Sequence, residues 1–141
     1  MMHKTILLLI ILPLFCFGDD WPQWRGLNRN AVWNETGLIE KFPQKQIELL
    51  WRVPISGGYS GPTVANGRVY VTDRVESTET ERVHCLDAQT GKQIWMDEYA
   101  CDYSRVRYPD GPRAAVLIND DRSYSLGSTG HLRCQDAATG K

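Results

Sequence analysis

Few residues in this chain have both the type and the spacing that enzyme or metal chemistry needs. The 141 residues include 4 Cys and 3 His. No two Cys are adjacent or form a C-x-x-C pair, which excludes a zinc ribbon and a thioredoxin-like motif. His84 lies within a predicted strand and His131 begins another. Because a metal site needs three or four convergent ligands, we predict no metal site and no catalytic residue.

The charge balance argues against a nucleic-acid partner. Lys plus Arg number 16 and Asp plus Glu number 17, which gives a net charge of −1, whereas nucleic-acid binders usually carry a basic excess. One basic and aromatic stretch precedes the last predicted hairpin, and it contains Arg105, Arg107 and Arg113 with Tyr99, Tyr103 and Tyr108. Such a stretch either packs as an ordinary loop or binds an anion or a polysaccharide.

Residues 1–18 have the pattern of a secretory signal peptide, with cleavage after Gly18. A short basic start is followed by an almost wholly apolar run over residues 5–17. This run is shorter than the ~20 residues needed to span a bilayer, which disfavours an uncleaved anchor. The large Phe15 before Cys16 disfavours a lipoprotein signal. The sequence therefore predicts an exported protein, periplasmic or extracellular, with no stable membrane span after cleavage.

The chain contains two copies of one repeat. The segment 83–92 recurs at 132–141, about 50 residues later, and Gly61-Pro62 recurs as Gly111-Pro112. A period of roughly 40–50 residues indicates a repeat architecture in which each copy is one supersecondary unit. The loop between the second and third predicted strands is longer in the first copy.

Each copy is predicted to form a four-stranded antiparallel unit from short, β-branched segments. Asn66-Gly67 is a strong hairpin signal, because both residues tolerate the positive φ of a type I′ turn. The polar run 76–82 is predicted to be a solvated loop. The predicted strands are 62–65, 68–72, 82–86 and 92–96 in the first copy, and 114–118, 122–126 and 131–135 in the second.

Both copies carry an Asp-x-x-Thr-Gly turn. Asp87 and Thr90 can accept hydrogen bonds from nearby backbone amides, and Gly91 supplies the left-handed conformation that closes the hairpin. Trp95 follows on the outer strand, where it is large enough to pack across to a neighbouring unit. The second copy has the equivalent residues Asp136, Thr139 and Gly140.

Three cysteines follow the predicted signal peptide. Cys85 and Cys134 occupy equivalent places in the two copies, and both are predicted to be small buried residues of a strand. Cys101 lies in an irregular stretch, where its side chain can be exposed to solvent.

The repeated residues resemble the tryptophan-docking repeat Ala-x-Asp-x-x-Thr-Gly-x-x-x-Trp of pyrroloquinoline-quinone-like β-propellers. Cys85 stands where that family has Ala, and Gln135 stands where Leu is usual. Residues 20–26, 35–38 and 49–51 are similar to segments of exported propeller-repeat proteins of planctomycete-type bacteria. The resemblance implies an all-β fold, a β-propeller fragment with about two four-stranded antiparallel blades.

The resemblance also implies a division of the chain, and it implies that this is an N-terminal fragment. Related propellers have up to eight blades, so further blades are expected to be missing. Loops that enter the innermost strands of a propeller rim its central channel, which implies Tyr59, Ser60 and Arg113 as binding residues. The expected parts are a signal peptide at 1–18, an N-terminal cap with a ring-closing strand at 19–60, a first blade at 61–96, a connecting loop at 97–110 and a truncated second blade at 111–141.

Two branches of the family imply different functions. Quinoprotein alcohol dehydrogenases hold pyrroloquinoline quinone with calcium between a Trp and a disulfide of adjacent Cys, whereas the outer-membrane assembly lipoprotein is a non-enzymatic scaffold. This chain has no adjacent Cys pair, and packing explains its tryptophans at 21, 24, 51 and 95. We therefore expect a binding or scaffold module without a cofactor and with a protein or polysaccharide partner. The alternative is the N-terminal part of a quinone-dependent dehydrogenase whose catalytic residues lie on missing blades.

Overall fold

The computed structural model describes residues 18–42 and 47–141, so the predicted signal peptide lies outside the described residues except for Gly18. The regular secondary structure of the described residues is β-strand, apart from one short 3-10 helix at Glu76–Thr78. The strands are β1 (Thr63–Ala65), β2 (Arg68–Val75), β3 (Thr80–Asp87), β4 (Gln93–Ala100), β5 (Leu117–Asn119), β6 (Arg122–Leu126) and β7 (Leu132–Asp136).

The strands form two antiparallel sheets with simple meander topology. The first sheet has the order β1-β2-β3-β4 and the second the order β5-β6-β7, which confirms the predicted all-β fold. Asn66 and Gly67 have φ values of 52° and 69°, as the predicted hairpin turn between β1 and β2 requires. Tyr70 pairs with Cys85 in the first sheet, and Tyr124 pairs with Cys134 in the second. The two sheets are therefore equivalent units, as the repeat indicates.

The first sheet is longer than the sequence predicts, because part of the expected loop is strand. β2 and β3 have 8 residues each, whereas β6 and β7 have 5 each. Arg74 pairs with Glu81, and Glu81 pairs with Tyr99 on β4. The prediction of a solvated loop is thus wrong for residues 80 and 81, and β4 continues to Ala100, beyond the predicted strand 92–96. The cause is long-range: each extended strand supplies hydrogen-bonding partners to the next.

Residues 49–54 lie in the part of the chain, 19–60, that was expected to contain a ring-closing strand. The structure assigns no strand to them, and Leu50 is 90% exposed. No described strand lies beside this segment to pair with its backbone groups, and pairing is what defines a strand. The side chain of Trp51 anchors it instead, with its indole Nε1 donating to the Ala88 carbonyl at 3.0 Å.

Trp95 joins the two sheets, as predicted. It is buried, and its Nε1 donates at 3.0 Å to the carbonyl of Ala137, in the turn that follows β7 of the second sheet. The Tyr70 hydroxyl donates to the same carbonyl, also at 3.0 Å, and its ring centroid lies 6.0 Å from that of Trp95. A Cβ on Gly140, where φ is +75°, would lie only 2.8 Å from the Trp95 ring. Glycine is therefore required there for both conformation and space.

The same docking occurs one unit earlier. Trp51 packs on the Asp87–Gly91 turn, where a Cβ on Gly91 would lie 2.7 Å from its ring. Within each turn the Asp carboxylate accepts from the Thr amide and hydroxyl, at 2.8 and 2.7 Å for Asp87 and Thr90. Each turn is thus a rigid platform on which the tryptophan of the preceding segment rests.

The N-terminal segment lies along the β1 edge of the first sheet and the β5 edge of the second. Trp21 exchanges two backbone hydrogen bonds with Val64 of β1, and the Ile118 amide of β5 donates to the Pro22 carbonyl at 2.8 Å. Trp21 is half-buried, whereas Trp24 is 72% exposed. Packing within the described residues therefore accounts for Trp21, Trp51 and Trp95 but not for Trp24.

The cysteines depart from prediction in two places. Cys85 is fully buried on the central strand β3, as expected, but Cys134 is exposed. β3 has a neighbouring strand on each side, whereas Cys134 lies on β7, which has one. Cys101, in the irregular stretch, is only 2% exposed, because it is covered by the β6–β7 loop.

Candidate functional site

Two buried carboxylates lie at one end of the two sheets. We call this region, comprising segments 56–60, 73–82, 99–113 and 127–131, the loop end. Backbone hydrogen bonds assemble it: the Arg74 amide donates to the Gly57 carbonyl, the Tyr59 amide to the Pro112 carbonyl and the Cys101 amide to the Glu79 carbonyl, each at 2.8 Å. Segments distant in sequence are thereby fixed beside the extended part of the first sheet.

Asp73 on β2 forms the first buried cluster. Its carboxylate accepts from both Nε and Nη2 of Arg82 and from the Ser56 amide at 2.6 Å, and it contacts His84 Nε2 at 3.0 Å. Burial opposes ionisation, but the hydrogen bonds from His84, Arg82 and Ser56 outweigh it and hold the pKa of Asp73 well below its usual value. Asp73 is therefore an ionised brace between strands rather than a proton acceptor.

Glu81 on β3 forms the second cluster and links the two sheets. Its carboxylate accepts from the hydroxyl of Tyr99 at 2.6 Å, from the hydroxyl of Tyr103 and from the backbone amide of Ser128 in the β6–β7 loop at 3.0 Å. Burial opposes ionisation, but the bonds from Tyr103, Tyr99 and Ser128 prevail and lower the pKa of Glu81. Burial and the carboxylate raise the pKa values of Tyr99 and Tyr103, so both hydroxyls remain protonated donors.

Arg74 lies between the two clusters and holds the 101–113 segment. Its guanidinium donates to the Pro109 carbonyl and to Glu79 Oε1, the latter at 2.8 Å. Its Cζ lies 4.1 Å from the centroid of the Tyr103 ring, a distance at which a cation is attracted to the aromatic face. The connecting segment is therefore rigidly attached to the first sheet.

The structure brings two of the three predicted rim residues together on the surface. Tyr59, 49% exposed, donates from its hydroxyl to Asp110 Oδ2 at 2.6 Å, and Arg113 Cζ lies 5.9 Å from its ring centroid. Arg113 also donates to the carbonyl of Tyr108 at 2.9 Å. Ser60 points inward instead, with its Oγ 2.7 Å from the hydroxyl of Thr72. Tyr59 and Arg113 are thus surface residues, whereas Ser60 supports the backbone behind them.

A second arginine–tyrosine pair extends this surface. Tyr108 is 64% exposed, and Arg107 Cζ lies 5.4 Å from its ring centroid. Together we call Tyr59, Arg107, Tyr108 and Arg113 the Tyr–Arg surface. Arginine and tyrosine side chains are enriched at the energetically important positions of protein interfaces, because each combines a large apolar area with hydrogen-bonding groups.

A third group of side chains at the loop end brings together residues from both sheets. Glu81, Cys101 and His131 place one potential ligand atom each within 4.8 Å of one another. The Thr129 hydroxyl lies 3.1 Å from Cys101 Sγ and 3.2 Å from His131 Nδ1. Burial raises the pKa of Cys101, so its sulfur is a thiol in the absence of a metal.

Sequence reasoning missed the buried residues of the loop end. Glu81 was predicted to lie in a polar loop because charge usually marks solvent exposure, and Asp73 and Arg74 lie beyond the end of the predicted strand 68–72. One signal was available: β-branched residues continue past residue 72, at Val75 and Thr80, and they favour strand. Gln135 stands where the family usually has Leu, and its buried amide has hydrogen-bonding partners: Nε2 donates to Asp97 and to the Gly140 carbonyl.

The opposite end of the first sheet has a different character. A cavity of about 650 Å³ lies there against the N-terminal segment, and its lining includes Asp20, Trp21, Trp33, Val64 and Ala88. The Trp21 and Trp33 ring centroids are 5.9 Å apart.

Within the described residues no helix has the length and apolar character needed to cross a bilayer.

The two sheets and their tryptophan-docked turns define a pyrroloquinoline-quinone-like repeat protein with blade-like units. Comparison with known families agrees with this assignment. The family described as outer membrane protein assembly factor BamB matches residues 35–141, and the chain belongs to that family.

Individual proteins are less similar to the chain than the family as a whole. No curated protein matches the chain. Among solved structures, a europium-containing methanol dehydrogenase aligns with a TM-score of 0.44 and 24% sequence identity. The alignment covers 59% of this chain, and the chain spans 14% of the length of that protein.

Proposed function

We propose that this chain is part of an exported binding module of the bacterial cell envelope and that the Tyr–Arg surface contacts a protein partner. The family to which the chain belongs is named after an outer membrane protein assembly factor. That description supports both a scaffold role and this location. Export rests on the sequence pattern of residues 1–18.

The two arginine–tyrosine pairs are the observation that carries the proposal. Arg107 and Arg113 lie 5.4 and 5.9 Å from the ring centroids of Tyr108 and Tyr59. The loops that present them are held by buried groups such as Arg74. A surface ordered before binding loses little conformational entropy on association, which favours affinity. Two guanidinium groups beside exposed rings also favour a partner with an acidic and aromatic surface.

Site-specific photo-crosslinking in the source bacterium tests this role. A photoreactive amino acid at Tyr108 should give one discrete adduct with an envelope protein, and the same group at Gln89, an exposed turn residue at the opposite end, serves as the control. Adducts of equal yield at both positions, or none at Tyr108, would contradict the proposal. Sedimentation with purified cell-wall polysaccharide distinguishes a polysaccharide partner from a protein partner.

The quinone-dependent dehydrogenase is the competing function, and the same purified chain can be tested for it. After the chain is mixed with pyrroloquinoline quinone and calcium, gel filtration should separate the two, and the protein fractions should show no quinone absorbance. Co-elution of one quinone for each chain would favour the dehydrogenase over the scaffold.

A further inference from the structure

Glu81, Cys101 and His131 converge from three parts of the fold. Glu81 lies on β3, Cys101 directly follows β4, and His131 directly precedes β7. Their potential ligand atoms lie within 4.8 Å of one another. Separations of this size require only small side-chain adjustments to surround one ion, since zinc–ligand bonds are about 2.0–2.3 Å long.

Each of the three side chains has a lone pair to offer. The Glu81 carboxylate accepts two hydrogen bonds at Oε1, from Tyr103 and Ser128, but only one at Oε2, from Tyr99. A carboxylate has about four acceptor positions, so one position at Oε2 remains. Among the described residues, His131 makes a hydrogen-bond contact at Nδ1 and none at Nε2, and Cys101 Sγ contacts the Thr129 hydroxyl.

The surroundings orient these groups. Thr129 Oγ1 contacts both Cys101 Sγ and His131 Nδ1, which fixes the separation of thiol and imidazole. The His131 ring meets Tyr99 edge-on, with centroids 5.1 Å apart. Partners of this kind, which hold ligands in place without touching the metal, are a regular feature of metal sites.

We propose that Glu81, Cys101 and His131 form a zinc site that links the two sheets. A thiolate, an imidazole and a carboxylate are all zinc ligands, and the thiolate disfavours magnesium and calcium. Three protein ligands leave a fourth tetrahedral position for water. Glu81 and Cys101 are buried while His131 is exposed, so the ion enters from the His131 side and the histidine completes the site.

Zinc bound here would stabilise the contact between the sheets. Glu81 and Cys101 belong to the first sheet and its following segment, whereas His131 belongs to the second. An ion that binds only the folded chain shifts the folding equilibrium toward it. Binding also releases the thiol proton of Cys101, because the thiolate is the ligand.

Cobalt substitution and zinc titration of the reduced, purified chain test the proposal. One equivalent of Co²⁺ should produce a thiolate-to-cobalt charge-transfer band and the intense visible bands of tetrahedral cobalt, and Zn²⁺ should abolish both. Zinc should raise the melting temperature, and calcium at the same concentration should not. Cys101→Ser should remove the charge-transfer band, and His131→Gln should weaken zinc affinity by more than about tenfold.

Cys134→Ser is the matched control, because this cysteine is exposed and lies outside the group. It should leave the cobalt spectrum and zinc affinity unchanged. Because His131 is exposed, His131→Gln should retain the circular dichroism spectrum of the parent chain, which separates loss of a ligand from loss of the fold. Absence of a charge-transfer band in the parent chain, or its loss in Cys134→Ser with retention in Cys101→Ser, would overturn the proposal.

Discussion

Replacement of Trp95 should reveal how strongly one tryptophan joins the two sheets. The Trp95 ring is 8% exposed and packs on the turn of the second sheet. Removal of a buried Trp side chain costs about 3–5 kcal/mol, so Trp95→Ala should lower the free energy of unfolding by that amount. Trp95→Phe should cost less than Trp95→Ala, because the Tyr70 hydroxyl still donates to the Ala137 carbonyl, but it should exceed the roughly 0.5–1.5 kcal/mol of the lost hydrogen bond, because the smaller ring leaves part of the space unfilled.

Two other tryptophans provide matched comparisons. Trp51 docks on an equivalent turn but is only half-buried, so Trp51→Ala should cost about half as much as Trp95→Ala, roughly 1.5–2.5 kcal/mol. Trp24 is 72% exposed, and Trp24→Ala should change the stability by less than about 0.5 kcal/mol.

Urea denaturation followed by far-ultraviolet circular dichroism measures all four variants without relying on tryptophan fluorescence. The urea dependence of the unfolding free energy should stay constant, which shows that midpoints report stability. A cost below about 1 kcal/mol for Trp95→Ala, or equal costs for Trp95→Ala and Trp24→Ala, would refute the docking argument.

Three further predictions follow from the fold and the loop end. Hydrogen bonds hold the pKa of Asp73 below its usual value despite burial. The contribution of Asp73 to stability is therefore complete above about pH 4 and is lost as the pH falls further. Asp73→Asn should be less stable at neutral pH, and its stability measured by acid unfolding should depend less on pH. Gly140→Ala should destabilise the chain by more than about 1 kcal/mol, because φ is +75° and the new Cβ would meet Trp95. In Gly61→Ala, where no atom of the described residues lies within 4 Å of the new Cβ, thermal denaturation should show little change. A thiol reagent should modify the exposed Cys134 rapidly and the buried Cys101 only on unfolding, as mass spectrometry of the native chain would measure; rapid labelling of both would contradict the burial of Cys101.

The sequence predicted the local elements of the fold better than the site. Asn66-Gly67 and the Asp87–Gly91 turn depend on conformations that the residues themselves favour, so their type and spacing were sufficient. Trp95 was predicted to be an inter-unit contact because it follows that turn at a fixed distance. By contrast, the burial of Glu81 depends on Tyr103 and Ser128, which are distant in sequence. A single sequence provides no signal that brings such residues together.

The loop end exists because the two repeats are unequal. Measured from the equivalent pairs Tyr70–Cys85 and Tyr124–Cys134, the first hairpin continues to the Val75–Thr80 pair, whereas the second ends at Leu126–Leu132. The additional strand residues include Asp73, Arg74, Glu81 and Arg82. Because the second sheet stops earlier, its β6–β7 loop can reach the side of this extension, where the Ser128 amide contacts Glu81 at 3.0 Å. The longer strands of one unit thus become the support for the loops of the next.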